Sequence, residues 1–122
     1  MTIFSRSRLL LGTGALAVSL AFAGAVDDAQ KLIKDGKFDD AIALLEKHDA
    51  KQPAVAKALI TAHMGKADFY MNNGQVPPRE KYTTALHEYR KVLIYDKANK
   101  KAADNIKVIE DIYKSMGREV PK

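Results

Sequence analysis

Few residues of this chain could do chemistry, and their spacing decides what chemistry is open to them. His48, His63 and His87 are the only three histidines. None forms an H-x3-H pair, and no acid stands three or four residues from two of them at once, so no metal-ligand spacing is present. A nucleophile needs Ser, Thr or Cys held beside a base. Beyond residue 25 the sole serine is Ser115, and Thr61 and His63, though near in sequence, leave a helix in different directions. Asp39–Asp40 and Glu110–Asp111 are adjacent acids on helix surfaces, suited to solubility and to helix dipoles. There is no cysteine, which excludes a disulfide framework, thiolate chemistry and attachment through a lipidated cysteine. No glycine loop of phosphate-binding type occurs. A non-catalytic chain without metal or cofactor is expected.

Each histidine has a structural role open to it. His48 falls near a helix C-terminus, where a partly positive imidazole complements the dipole. His87 stands beside Glu88 on a stretch read as solvent-facing. His63 lies mid-helix, half-buried and hydrogen-bonded in this reading.

The elements that position these residues begin after a leader. "MTIFSRSRLLLGTGALAVSLAFAGA" has Arg6 and Arg8, an acid-free apolar run from Leu9, and Ala23-Gly24-Ala25. That is the pattern of a secretory signal over residues 1–25, with cleavage after Ala25. The alternative is an uncleaved membrane anchor, for which the run is short against roughly 20 apolar residues. Gly12, Thr13 and Gly14 weaken that alternative further. Ser7 separates the two arginines, so the twin-arginine signature is not met. An exported, periplasmic or secreted product is expected. Its net charge falls from +5 to +3, because residues 1–25 hold two of the twenty basic residues and none of the fifteen acids. Lys91, Lys97, Lys100 and Lys101 interleave with Asp96 and Asp104, so the surface is mixed. No nucleic-acid partner is expected, since that would call for a larger basic excess on one face.

From Val26 onward the chain reads as helix throughout. Phe38, Ala41, Ile42 and Leu45 make one apolar stripe at helical spacing. Tyr82, Ala85, Leu86, Tyr89, Val92 and Leu93 make another, and Ala102, Ile106, Ile109, Tyr113 and Met116 a third. The stretch from Val55 to Tyr70 is apolar or small on most faces, which marks a helix buried between neighbours. Gly36, Pro53, Gly74, Pro77-Pro78 and Gly117 punctuate these runs. No stretch alternates in the manner of a strand. The expectation is an all-α domain over 26–116, with helices at about 27–35, 38–49, 54–72, 81–95 and 99–116, and a loose tail over 117–122.

Two stretches repeat. Phe38, Ala41 and Leu45 correspond to Tyr82, Ala85 and Tyr89. Gly36, Phe38, Ala41, Leu45 and Pro53 fall on the turn glycine, aromatic, alanine, large apolar and closing proline of the 34-residue tetratricopeptide pattern. Ala29 and Leu32 match its first helix, and in the second unit so do Ala67, Tyr70 and Gly74. Over nearly all of its length after the leader, the chain resembles a tetratricopeptide-repeat protein. It departs from the pattern in its period, since Phe38 and Tyr82 stand 44 positions apart. About four of the extra residues fall before Ile60 and about six in the "QVPPRE" loop, against the usual repeat length. Lys97 replaces the closing proline, and His48 stands where a small residue is usual.

The resemblance implies an α-solenoid of antiparallel helix pairs: about two degenerate repeats closed by a C-terminal capping helix. It also implies a protein–protein interaction role, with a protein or peptide ligand bound on the concave face formed by the first helix of each pair. In that register the face presents Gln30, Ile33 and Lys34, then Thr61, Met64, Asp68, Met71 and Asn72, then Lys101, Asp104, Asn105 and Val108. Such a lining suits an extended peptide or a partner helix, with core packing as the other role for Met64 and Met71. The carboxylate clamp of some family members is not implied: Lys101 and Asn105 fit it, but Gln30 and Gly65 occupy its other positions. Two units fall below the three usually needed for independent stability. The alternative role is therefore a self-associating structural subunit, a homo-oligomer of the cell envelope, held at the membrane only if the leader is retained. Pro77-Pro78 leaves two readings for the loop: a plain connection, or a stiffened projection used for contact.

Overall fold

The structure is a computed structural model that describes residues 22–122; the leader expected at 1–25 lies almost wholly outside the described residues. Five helices account for the described fold, with no strand among the described residues. They are α1 (22–34), α2 (Phe38–Leu45), α3 (Pro53–Asn72), α4 (Pro78–Tyr95) and α5 (Lys100–Ser115). Among these residues no helix is long and apolar enough to cross a membrane.

Local chemistry sets the boundaries. Gly36 sits at φ +75°, and the amides of Gly36 and Lys37 bond back to the carbonyls of Ile33 and Leu32. That is a Schellman ending, which needs a residue free of Cβ strain at positive φ. Gly117, at φ +67°, ends α5 the same way, with Arg118 bonding back to Tyr113. Pro53 and Pro78 open α3 and α4 at the first helical position, where no amide is missed. α4 therefore begins at Pro78 rather than near residue 81. α5 is capped by the Asn99 side chain, which accepts from the Ala102 amide at 3.0 Å.

Further differences from the sequence expectation are that α1 is already helical at residue 22 rather than from about 27, that α2 stops early, and that the C-terminal segment is not loose. α2 ends at Leu45, not near residue 49. The Asp49 carboxylate takes the Lys51 amide at 2.9 Å, and its carbonyl takes the Gln52 amide, so a turn displaces the last helical turn ahead of Pro53. The segment read as a loose tail folds back: Val120 packs on the core, and the Pro121 carbonyl accepts from Arg90 Nη1 at 2.8 Å.

α3 carries the architecture. Its first half closes a core with α1 and α2 through Ala29, Ala41, Leu45, Val55, Ala58, Leu59 and Ala62. Its second half closes another with α4 and α5 through Ala67, Leu86, Tyr89, Val92 and Ile109. Alanine at 41 and 85 is fully buried, so neighbouring backbones approach closely where these residues stand. Gly65 does the same at the α2–α3 contact. A Cβ there would come within 2.5 Å of Phe38 Cε1.

Candidate functional site

The two long faces of α3 hold different chemistry. On one face, His63 Nδ1 lies 2.6 Å from Glu88 Oε2 of α4, and both side chains are almost wholly buried. Lys66 reaches Glu88 Oε1 at 3.3 Å and Asp39 Oδ1 at 2.7 Å, so the chain of contacts joins α2, α3 and α4. The His63 ring stacks on Tyr95 with centroids 6.0 Å apart. Burial by itself would raise the Glu88 carboxyl, but the hydrogen bond from His63 and the charge of Lys66 overcome it and hold Glu88 below the ordinary carboxylate range. Burial would likewise lower Lys66, yet its bond to Asp39 and the charge of Glu88 win, and its pKa is raised. With Glu88 ionised, His63 Nδ1–H is the donor of the short bond.

This pair has the look of a base with its orienting acid. The other ring nitrogen, His63 Nε2, is buried without a hydrogen-bond partner among the described residues. No group of three His, Asp or Glu able to hold a metal occurs among the described residues. The arrangement is a buried polar brace between three helices.

The opposite face of α3 carries the residues that the repeat register singled out, and the structure divides them. Gln30, Ile33, Lys34 and Thr61 come together along a groove between α1 and α3, about 500 Å3 in volume, whose wall also includes Asp27 and Lys31. A smaller, more enclosed continuation of about 170 Å3 shares Gln30, Ile33 and Thr61 and is lined also by Val26, Ala54, Lys57 and Ala58. Thr61 turns its hydroxyl to the Lys57 carbonyl at 3.0 Å, so it offers the groove mainly its methyl.

Further along, the same register is occupied by internal bonds. Asp68 accepts from the buried Tyr89 hydroxyl at 2.6 Å on one oxygen and from Lys101 Nζ at 2.6 Å on the other. Burial and the Asp68 carboxylate push the Tyr89 hydroxyl well above the ordinary tyrosine value. Asn72 bonds to the Asp68 carbonyl, and Asp104 pairs with Lys100 one turn away. Met64 and Met71 pack against the core of α3, α4 and α5, which is the packing role weighed for them. Asn105 is half-buried and Val108 exposed on α5. The face therefore splits into an open stretch beside α1 and a cross-linked stretch beside α5.

A second cavity, about 580 Å3, opens between the start of α4 and the end of α5. Its polar floor is satisfied within the fold: Thr83 donates to the Arg79 carbonyl at 2.7 Å, which leaves Tyr113 to donate to Thr83 across 3.0 Å. The loop before α4 is ordered locally, with Asn73 accepting from the Gln75 amide. Pro77 and Pro78 form the cap and first residue of α4 rather than a free-standing projection.

Sequence reasoning missed Glu88, which was read with His87 as solvent-facing. His87 is exposed, but Glu88 is 5% exposed. The signal was available, since Glu88 stands three residues after Ala85 and four before Val92, on the apolar stripe of its own helix. An acid on such a stripe needs a buried partner, and His63 occupies the matching place on α3.

The chain matches no family model, and no curated protein and no solved structure matches it.

Proposed function

We propose that the chain is an exported, non-catalytic helical-repeat module of tetratricopeptide type that holds a segment of another protein. The observation that carries this reading is the groove between α1 and α3. There the register of the resemblance brings four of its twelve expected contact residues, Gln30, Ile33, Lys34 and Thr61, onto one open surface. The repeat reading itself is supported by the Schellman turn at Gly36, the close helix approach at Ala41 and Ala85, and the seating of Phe38 on Gly65. Export is supported by the leader pattern of residues 1–25.

Crosslinked affinity capture from the cell envelope tests the reading. A heterologous partner is expected with the natural chain and is lost with Thr61→Trp, which fills the groove from an exposed position. Capture unchanged by that substitution overturns the assignment of the groove. A self-associating subunit is the second reading, and it is favoured by Ile94, which is 65% exposed near the end of α4. Light scattering decides that point through a mass that rises with concentration and falls back with Ile94→Ser.

A further inference from the structure

The α1–α3 groove has a charge of its own. Its apolar lining comes from Val26, Ile33, Ala54 and Ala58. Three ammonium groups stand along its walls, Lys31 and Lys34 from α1 and Lys57 from α3, against the single carboxylate of Asp27. Among the described residues none of these three lysines makes an ion pair. Elsewhere on the molecule, Lys66, Lys100, Lys101 and Lys107 are each neutralised by an acid within 3.3 Å. Other basic residues, Lys37, Lys47, Lys51 and Lys97 among them, also make no ion pair among the described residues, but this channel sets three such ammonium groups against one carboxylate on an apolar lining. A charge-paired site would offer nothing to a charged partner beyond apolar contact. Here the surplus attracts an anionic one.

We infer that the groove takes an acidic amphipathic segment of a partner protein, with apolar side chains at i, i+3, i+4 and i+7 on that lining and Asp or Glu meeting Lys31, Lys34 and Lys57. The inference rests on the proposed binding role of this groove and adds the chemistry of what binds. An amphipathic helix fits because the lining sets apolar side chains of α1 and α3 beside flanking lysines, which matches one apolar and one acidic face. The flanking lysines are long and exposed, so they reach carboxylates at the rim while their stems extend the apolar wall.

Selection from a random peptide library displayed on phage, panned on the purified chain, reads this directly. The selected peptides are expected to carry a net negative charge and an apolar helical stripe. Their affinity falls by about tenfold or more in the K31E/K34E/K57E variant, and it weakens as salt rises. All three lysines are exposed, so the variant keeps its melting profile, and circular dichroism verifies this. Neutral or basic peptides that are nonetheless blocked by Thr61→Trp would overturn the acidic preference and leave the groove as a binding site. Peptides indifferent to Thr61→Trp, or no enrichment at all, would overturn the groove assignment and the inference with it.

Discussion

The two faces of α3 start from similar materials and end differently. On the face toward α4, every charge has an opposite within reach: His63 and Lys66 converge on Glu88, and Lys66 also holds Asp39. On the face toward α1, apolar and basic side chains line a channel and make no ion pair among the described residues. The first pattern is what a helix needs in order to stay between its neighbours, because a buried charge left alone is costly. In the second, Ala58, Val26 and Ile33 still serve the core, while the lysines above them do not. A residue type says little about role; whether its polar groups are already satisfied says more.

The largest way to break the comparison is to remove the acid at the centre of the braced face. Glu88→Ala leaves the buried His63 without its partner and Lys66 with Asp39 alone, and it should cost about 3 kcal/mol in denaturant unfolding. Replacing His63 and Glu88 together with apolar residues should cost less than the sum of the single changes, which a double-mutant cycle measures. Acid acts on the same group. Glu88 has a depressed pKa, so its contribution is present above the ordinary carboxylate value of about 4.3 and is lost as pH falls through its lower folded value. Lys66 has a raised pKa, so its share is intact below about 10.4 and disappears only as pH climbs past that value. Stability should therefore fall in acid as the Glu88 carboxylate protonates, and Glu88→Gln should flatten the acid limb.

A smaller effect is expected at the α2–α3 contact. Gly65→Ala forces its new Cβ against Phe38 and should destabilise by about 1–2 kcal/mol, despite the better helix propensity of alanine. Paired with Phe38→Leu, the same change should lose most of its cost, and thermal melts of the two variants check this. Smaller still is Asp68→Asn, which keeps an acceptor for Tyr89 but removes the charge facing a largely exposed Lys101, for about 1 kcal/mol or less. At the bottom of the scale stand Lys31, Lys34 and Lys57, whose replacement by serine should move stability by less than about 0.5 kcal/mol.

How far the sequence could show this follows from what each feature depends on. The helical class and the stops at Gly36 and Gly117 depend on local periodicity and on glycine at positive φ, and both are visible in a short window of sequence. The early end of α2 depends on competition between the Asp49 turn and the last helical turn, which propensity alone does not decide. The return of Val120 and Pro121 depends on one apolar residue and one arginine that lie far apart in sequence. Of the expected face, Gln30, Ile33, Lys34 and Thr61 gather on one groove because helical spacing and the α1–α3 pairing place them there. Asp68 and Lys101 were indistinguishable from contact residues until their mutual bond, and the Tyr89 hydroxyl beneath it, came into view.

The most direct test is photocrosslinking in the intact cell envelope, with a photoreactive residue placed at Thr61 in the groove or at His87 on the exposed side of α4. The account predicts a discrete adduct from Thr61 and none from His87. Equal crosslinking from both positions, or an adduct from His87 alone, would contradict it.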